Sequence, residues 1–243
     1  MMRGYYHSRE TFGTVDGKGI RYVLFLAGCS LSCVFCHNPD TWQRGGKTIT
    51  VEEVMADVLK YQHYYKASGG GITVSGGEPL LQPEFVAALF QECRKQGIHT
   101  TLDTAGFCPQ DNLEQVLPYT DEVLFCLKVM DEKKHRLLTG ADNRCIQSNL
   151  RLAAAQVPTV IRYVVIPEIN DESADIQQLA AFIVSLPQTV SVELLGYHIM
   201  GKRKWEDLGI PYRLSSVPPA NQKHLEAVYH WLAKKEIDVQ PMQ

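Results

Sequence analysis

The run Arg21-Tyr-Val-Leu-Phe-Leu-Ala27, followed closely by Cys29-Ser-Leu-Ser-Cys33-Val-Phe-Cys36, sets the fold and the chemistry of this chain. The apolar run predicts a buried β-strand, and the three cysteines predict a metal-binding loop at the carboxyl end of that strand. Clusters of the [4Fe–4S] type that only cysteines hold normally take four thiolates. A loop with three thiolates therefore leaves one iron open for another ligand, which distinguishes a catalyst from an electron carrier.

The same thiols offer a second interpretation, a zinc ion with His37 as its fourth ligand. Two neighbouring residues rarely both bind one tetrahedral ion, however, and the paired C-x2–4-C knuckles of structural zinc sites are missing from the sequence. The spacing favours an iron–sulfur cluster and leaves zinc open. Cys93, Cys108 and Cys145 belong to no such motif and are expected to be incidental thiols.

The composition predicts one globular domain over residues 1–243. The chain has 45% hydrophobic residues and a net charge of −3, without a lysine- or arginine-rich block, so no nucleic-acid partner is expected. Neither a signal-peptide core nor a membrane-length apolar run is present, which predicts no membrane partner. Seven cysteines, an odd number, fit a reducing compartment better than a disulfide framework. The expectation is a cytoplasmic monomer.

Strand and helix patterns alternate along the chain. The predicted strands are 21–27, 72–75, 99–103, 122–128, 159–166 and 190–195. Helical patterns separate them, beginning with a capping box at Thr50–Glu53 and ending with a helix at about 220–235. Six strand–helix units with right-handed crossovers predict an α/β fold, namely a partial, laterally open (β/α)6 TIM-like barrel over about residues 20–200.

Polar residues recur where the predicted strands end, and barrels of this kind collect their chemistry there. An arginine inside the fifth strand must meet an anion if it points inward, but it could equally point outward and extend to solvent. A lone histidine is more often structural than a ligand, and a lone glycine pair is usually only a turn. These candidates are Gly76-Gly77-Glu78, Asp103-Thr104, Cys126-Leu127-Lys128, Arg162 and His198.

Together these motifs resemble a known family. Cys29-x3-Cys33-x2-Cys36 with Gly76-Gly77-Glu78 resembles the radical S-adenosylmethionine (SAM) superfamily, and Asp16-Gly-Lys-Gly-Ile-Arg21 resembles the D-G-x-G-x-R pattern of its glycyl-radical-enzyme activases. The similarity runs from about residue 8 to residue 235. Further stretches similar to those activases are 36–42, 102–104, 161–165 and 197–205.

The resemblance implies a radical SAM barrel and an oxidoreductase of the [formate-C-acetyltransferase]-activating type. In that family three thiolates, here Cys29, Cys33 and Cys36, hold a [4Fe–4S] cluster whose open iron chelates SAM. The reduced cluster cleaves SAM, and the resulting 5′-deoxyadenosyl radical abstracts hydrogen from a backbone glycine of a glycyl-radical enzyme. Pyruvate formate-lyase is the expected protein substrate, and a flavodoxin or ferredoxin is the expected electron donor.

The resemblance also assigns roles to individual residues. It implies that Asp103 and Thr104 help to hold a monovalent cation, and that Asp16 and its glycine loop meet the partner protein. The residues that it places at the cofactor are Phe35 against adenine, Cys36, His37 and Gly77 nearby, Cys126 and Leu127 alongside, Lys128 and Arg162 at the carboxylate, and His198 near the ribose.

Two departures from the family pattern qualify that assignment. Relatives have aspartate where this chain has Cys126, and asparagine where it has Ala105. A thiol is a poor ligand for a hard cation, which prefers oxygen. The change to Cys126 therefore argues against a cation site in this chain. Three alternatives stay open: activation of a different glycyl-radical enzyme, a small radical SAM enzyme that acts on a metabolite, and a non-enzymatic zinc or electron-transfer module.

Overall fold

The computed structural model describes residues 2–240, and one sheet of nine strands runs through that part of the chain. The strands stand side by side in the order β3-β1-β2-β4-β5-β6-β7-β8-β9. They are β1 (Arg3–Gly13), β2 (Arg21–Leu26), β3 (Thr48–Thr50), β4 (Gly71–Gly76), β5 (His99–Thr104), β6 (Glu122–Cys126), β7 (Thr159–Val165), β8 (Ser191–Gly196) and β9 (Asp238–Val239).

The six predicted strands are confirmed as β2, β4, β5, β6, β7 and β8, and each pairs in parallel with the next. Parallel neighbours require a crossover, and helices supply these connections here. The sheet ends at β3 on one side and at β9 on the other, and these two strands do not pair. The fold is therefore a partial, laterally open barrel, as predicted.

Three strands of the sheet, β1, β3 and β9, were not predicted, and of these β9 is parallel to its neighbour β8. β1 runs antiparallel to β2 and to β3, and β9 adds two residues beside β8. The sheet thus spans more of the chain than the expected 20–200. A good part of β1 is exposed to solvent, and its sequence, RGYYHSRETFG, is accordingly rich in polar residues. It has no continuous apolar run that would have predicted a buried strand.

Helices cover the outer face of the sheet. The predicted capping box is present: the Thr50 hydroxyl accepts from the backbone of Glu53 (3.2 Å), and the Glu53 carboxylate accepts from the backbone of Thr50 (2.7 Å). The helices are α1 (Val51–Lys60), α2 (Gln62–Ser68), α3 (Pro83–Lys95), α4 (Gln110–Val116), α5 (Glu132–Thr139), α6 (Arg144–Gln156), α7 (Ser173–Val184), α8 (Lys202–Asp207) and α9 (Gln222–Ala233). The short helix α8 was not predicted. No helix within residues 2–240 is long and apolar enough to span a membrane.

The two faces of the parallel sheet differ in polarity. Apolar side chains such as Leu24, Val74 and Phe125 belong to the main hydrophobic core, which lies between the strands and the helices. Successive side chains of a strand face opposite ways, so the alternate residues point into the barrel. Several of these inward-facing residues are polar. The interior thereby offers hydrogen-bonding groups to a ligand: Arg21, Thr73, Ser75, Thr101, Asp103, Cys126, Arg162 and Glu193.

Arg21 closes the amino end of this interior. Its side chain is 0% exposed, and its guanidinium donates to the hydroxyls of Thr73 (2.6 Å) and Thr101 (2.7 Å). Two backbone carbonyls, those of Ile72 (2.5 Å) and Lys18 (3.1 Å), accept from it as well. These neutral acceptors satisfy a buried charge that would otherwise destabilise the fold.

Candidate active site

The cysteine loop leaves the carboxyl end of β2 and is fixed to its neighbours at both ends. The backbone N–H groups of Gly28 and Cys29 donate to the carbonyls of Thr41 (2.7 Å) and Trp42 (3.0 Å). Gly28 has φ +106°, a conformation that favours glycine. The loop therefore begins with a turn that its sequence can adopt without strain.

The carboxyl end of α5 fixes the middle of the loop. The N–H groups of Ser32 and Val34 donate to the carbonyls of Thr139 (2.9 Å) and Leu138 (2.8 Å). The last carbonyls of a helix have no partner within the helix, so the loop satisfies groups that would otherwise lack one. Val34 is 4% exposed and packs in a second, smaller hydrophobic cluster with Leu138. A rigid element thus positions the cysteines.

The three thiols are half-buried and in the free state. Burial raises the pKa of Cys29 to about 12 and that of Cys33 to about 11, and it raises the pKa of Cys36 as well. Free thiols in this loop are consequently protonated at neutral pH. Thiolates are the ligating form, so metal binding here releases protons.

The donor set fits a [4Fe–4S] cluster better than zinc. Three thiols share one loop, and the pKa of Cys29 responds to both Cys33 and Cys36, so these groups lie near one another. His37, the proposed fourth zinc ligand, packs edge-on against His198 at 4.9 Å between ring centroids. Soft thiolates are the usual ligands of iron–sulfur clusters.

The glycine pair after β4 packs directly against the cysteine loop. The backbone N–H of Gly77 donates to Leu26 (2.9 Å), and that of Glu78 donates to Gly28 (2.7 Å). A Cβ atom on Gly77 would lie 2.1 Å from the carbonyl oxygen of Gly28. Only glycine fits this contact, so the turn after β4 can pack directly against the start of the cysteine loop.

Glu78 is a site residue whose role sequence reasoning missed. It is 1% exposed, and its carboxylate accepts from the Thr104 hydroxyl (2.6 Å) and from the backbone of Ala105 (2.9 Å) and Leu80 (3.1 Å). Burial raises the pKa of Glu78, and these donors oppose the rise. The carboxylate ties the glycine turn to the end of β5. Its place between Gly77 and Pro79 at a strand end was the available signal.

The predicted cation ligands lie close together only in part. The Asp103 carboxylate accepts from the Ser75 hydroxyl (2.5 Å), and the thiol of Cys126 lies 3.4 Å from its other oxygen. The hydroxyl of Thr104 is directed to Glu78 instead of toward Asp103. Asp103 and Cys126 are therefore neighbours, whereas the Thr104 side chain contributes to a different contact.

Arg162 points into the barrel, so the outward alternative is wrong. Its Nε donates to the carboxylate of Glu193 (2.7 Å), and one terminal nitrogen donates to the carbonyl of Val15 (2.7 Å). The other lies 3.4 Å from the carboxylate of Asp16 and 3.8 Å from that of Asp103. The guanidinium is thus surrounded by acceptors from three parts of the chain, namely β8, β5 and the loop between β1 and β2.

Asp16, which the resemblance assigns to the contact with the partner protein, lies inside the barrel. Its side chain pairs with Arg162 and is 19% exposed. Burial and the charge of Asp103 raise the pKa of Asp16, although Arg162 acts in the opposite direction. The loop between β1 and β2 therefore forms part of the barrel floor.

The remaining predicted contact residues lie around the mouth, with one exception. The ammonium of Lys128 stands over the Phe35 ring, 5.6 Å from its centroid, within range of a cation–π contact. His198 lies beside His37. Leu127 is the exception, because its side chain is 0% exposed and belongs to the main core. Only its backbone remains for a ligand.

The site therefore joins a soft, three-thiol loop to a barrel interior that carries Lys128, Arg162 and several carboxylates. Such an interior offers both positive and negative groups to a small zwitterion next to a cluster. A comparison of the sequence with protein-family models returns the radical SAM superfamily, matched over residues 23–180. The chain belongs to the radical SAM superfamily.

Radical SAM relatives match the chain from end to end. It is 42% identical over 241 residues to the pyruvate formate-lyase-activating enzyme of Staphylococcus epidermidis, which covers 96% of both chains. The enzymes of that name from Staphylococcus aureus strains show the same identity and coverage. This membership makes a [4Fe–4S] cluster and SAM the cofactors of the chain, and Cys29, Cys33 and Cys36 are the soft ligands that fit the cluster.

Solved radical SAM structures agree with the fold. A domain of the pyruvate-formate lyase-activating enzyme from Bacteroides vulgatus superposes with a TM-score of 0.60 at 28% identity, covering 71% of this chain and 98% of that one. A radical SAM methyltransferase from Sphaerobacter thermophilus gives a TM-score of 0.67 at 17% identity, covering 93% of this chain and 70% of that one. The second likeness shows the fold alone.

Proposed function

We propose that this protein activates a glycyl-radical enzyme, pyruvate formate-lyase, by radical SAM chemistry. The observation that carries the proposal is the 42% identity over 96% of the chain to enzymes named for that activity. When bound, the [4Fe–4S] cluster and SAM supply the reductive cleavage and the hydrogen abstraction from a backbone glycine of the partner. The protein orients these groups and excludes water.

We further propose which side chains orient the cofactor. Lys128, beside the Phe35 ring, and Arg162, inside the barrel, supply the positive charge for a carboxylate. Phe35 offers a flat face for a purine ring, and His37 and His198 line the mouth beside it. These roles are proposals. They follow from the position of each residue around the cysteine loop.

Access for a polypeptide supports a protein substrate. The sheet does not close, and the interior is lined by Arg162, Asp103 and Glu193 instead of by packed apolar side chains. A backbone segment that enters from the open side would meet hydrogen-bonding groups along its path. An interior filled by apolar layers, as in a closed barrel, would not admit it.

The proposal includes four further expectations about the organisation, electron donor and location of the protein. The protein acts as a single domain and as a monomer, takes its electron from a flavodoxin or ferredoxin, and works in the cytoplasm. Seven free cysteines support a reducing location. A monovalent cation near Asp103 is expected to bind weakly, because Cys126 stands where relatives have an aspartate.

The test combines anaerobic protein, dithionite, SAM and pyruvate formate-lyase, and detects the glycyl radical by electron paramagnetic resonance. We expect a radical on pyruvate formate-lyase and equimolar 5′-deoxyadenosine. A Cys33→Ala variant should produce neither. The matched control is Cys145→Ala, which removes a half-buried thiol of α6 that lies outside the site and should leave both signals intact.

A second candidate substrate is tested in the same experiment. Cys126, which lies next to Asp103, and Ala105 stand where relatives have polar residues. These two changes favour a different glycyl-radical enzyme as the second candidate, and it is added to the same assay. A radical that forms on such an enzyme but not on pyruvate formate-lyase would reject the specific substrate and keep the activase class.

A further inference from the structure

A buried carboxamide lies between the ends of β6 and β7. It belongs to Asn170, which follows β7 in the chain and is 0% exposed. Its Oδ1 accepts from the backbone N–H of Ile166 (2.7 Å), and its Nδ2 donates to the carbonyls of Val164 (2.8 Å) and Lys128 (3.1 Å). One side chain therefore connects β7 to the segment that follows β6.

The carboxamide bonds to β7 as a neighbouring strand would. The carbonyl of Val165 accepts from Tyr197 (3.0 Å) on the β8 side, so the adjoining polar groups of Val164 and Ile166 face the β6 side. In a parallel pair, a residue donates to the carbonyl before the residue that it faces and accepts from the N–H after it. Asn170 makes this pair of bonds with Val164 and Ile166. It thus continues the ladder of β7 by one step with a side chain.

β6 and β7 separate where Asn170 enters. The register of the two strands ends at Cys126 and Arg162, and the N–H of Leu127 still donates to the carbonyl of Arg162 (3.1 Å). Lys128 comes next, and its carbonyl accepts from Asn170. A buried carbonyl needs a donor, so Asn170 allows the chain to leave the sheet at this residue.

The loop that carries Asn170 is held in an uncommon conformation. Glu168 has φ +64°, a region that residues with a side chain seldom adopt. The N–H groups of Ile169 and Asn170 donate to the carbonyl of Ile166 (3.1 and 3.3 Å), and the Tyr163 hydroxyl donates to the carbonyl of Asn170 (2.7 Å). Such strain persists only where surrounding contacts fix it. Several bonds therefore fix the position of this carboxamide.

Lys128 is the other end of the connection. Its ammonium stands over the Phe35 ring, 5.6 Å from the centroid, whereas the flanking side chains of Leu127 and Val129 are 0% exposed. Packed neighbours and a bonded carbonyl leave this backbone little freedom. The bond to Asn170 thus helps to set the point from which the Lys128 side chain extends.

We propose that Asn170 is a positioning residue that sets the distance between Lys128 and Arg162. The inference rests on the proposed function, in which these two cations bind the SAM carboxylate. Arg162 belongs to β7 and is fixed by Glu193 (2.7 Å). A shift of Lys128 relative to β7 would change the spacing of the two charges, and charge-assisted hydrogen bonds depend on close, well-aligned contact.

The test is a double-mutant cycle on the affinity for SAM. Cluster-loaded protein in its oxidised state, which does not cleave SAM, is titrated with SAM in a calorimeter. We expect Asn170→Ala to raise Kd roughly three- to tenfold, because it weakens one charge-assisted bond without removing it. In a Lys128→Met background the same change should raise Kd less than about twofold, since residues that act as one unit are not additive.

Asn149→Ala is the matched control. Asn149 is 1% exposed, and its Nδ2 donates to the carbonyls of Gly106 (2.9 Å) and Cys108 (3.0 Å) after β5. The control therefore loses two bonds of the same kind without touching the Lys128 segment. It should lower the urea midpoint, as Asn170→Ala does, and leave Kd for SAM unchanged.

Asn170→Asp guards against a general loss of structure. It keeps the size of the side chain and the acceptor for Ile166, but it replaces the amide donors, so Kd should rise as it does in Asn170→Ala. The carbonyls of Val129 and Met130 accept from Asn143 (3.1 and 2.8 Å). The segment after Lys128 therefore keeps this anchor in both variants and loses only its connection to β7.

An equal rise in Kd with and without Lys128 would overturn the proposal, and so would an unchanged Kd in both Asn170 variants. A rise of the same size in Asn149→Ala would reduce Asn170 to a structural role. An unchanged Kd in Lys128→Met alone would remove the group that Asn170 is proposed to position. A wild-type protein that shows the expected cycle but forms no glycyl radical on any glycyl-radical enzyme contradicts the proposed function instead, so the two failures are distinguishable.

Discussion

Two buried arginines, Arg21 and Arg162, lie in the same barrel and meet opposite surroundings. The acceptors of Arg21 are hydroxyls and carbonyls, and burial lowers its pKa to about 10 despite the attraction of Glu122 and neighbouring carboxylates. Burial also acts to lower the pKa of Arg162, but Asp103 and other nearby acidic groups outweigh it and raise that pKa. A guanidinium held by neutral groups stabilises the barrel. One held by carboxylates of several elements can exchange partners with a ligand.

The largest expected effect separates the two arginines by stability. Arg21→Met leaves the buried acceptors of Thr73, Thr101 and Ile72 without their donor. We expect the free energy of unfolding to fall by about 3 kcal/mol, since each buried group without a partner costs about 1–3 kcal/mol. Urea denaturation measures it. Arg203→Met, at an 89% exposed side chain, is the control and should change little.

The next effect separates them by function. Arg162→Gln removes the positive charge proposed for the SAM carboxylate, and we expect kcat/KM for SAM to fall roughly 10- to 100-fold, the size of a charge-assisted hydrogen bond. The assay follows 5′-deoxyadenosine with dithionite as reductant. Glu193→Gln, which removes one partner of the guanidinium but keeps the guanidinium, is the matched comparison. Equal losses in both variants would show that Arg162 acts only through the fold.

A smaller effect concerns Asp103, which lies near both Arg162 and Cys126. Asp103 already accepts a hydrogen bond from Ser75 and lies near the Arg162 charge, and the Cys126 thiol is a soft ligand. Wild-type activity in Na⁺ or K⁺ should therefore differ little from activity in tetramethylammonium. Cys126→Asp adds hard oxygen donors and should introduce a few-fold stimulation by a monovalent cation. Cys126→Asn supplies the uncharged control. Strong cation dependence in wild type would contradict this view of the site.

The smallest effect is a pH dependence at Asp16. Because its pKa is raised in the folded protein, Asp16 binds its proton more tightly there than in the unfolded chain. Its stabilising contribution is therefore present at pH below the unfolded value of about 3.9 and is lost as pH rises through the folded pKa. The unfolding free energy of wild type minus that of Asp16→Asn should therefore decrease as the pH rises from about 4 to about 7. A difference that grows with pH over this range in urea denaturation would reverse the assignment.

Much of the fold was predictable because its signals are local. The apolar run before Cys29, the capping box at Thr50 and the alternation of strand and helix patterns each depend on residues close in sequence. Three strands were missed. β1 is long but rich in polar residues, whereas β3 and β9 have only three and two residues. All three form through pairing with other strands. Pairing of that kind leaves little trace in periodicity.

The candidate site shows the same division. The spacing of Cys29, Cys33 and Cys36 identified the cluster loop, and the family match agrees with it. The position of Glu78 at a strand end was a signal of a role at the site, but its partners Thr104 and Ala105 were not foreseeable. The contact of Trp205 with Cys36 was not foreseeable either, since both depend on which groups the folded chain brings together. Leu127 was assigned from a motif, and its side chain lies in the core.

The sequence by itself determined the chemistry: three soft ligands at a strand end, a glycine turn that admits close approach, and six repeating strand–helix units. The tertiary structure alone decided the partners of each charge. Arg162 and Asp16 stand 146 positions apart, and Trp205 and Cys36 stand 169 apart. Spacing encodes local geometry because the backbone has few conformations, whereas contacts over such separations exist only once the sheet has aligned its strands.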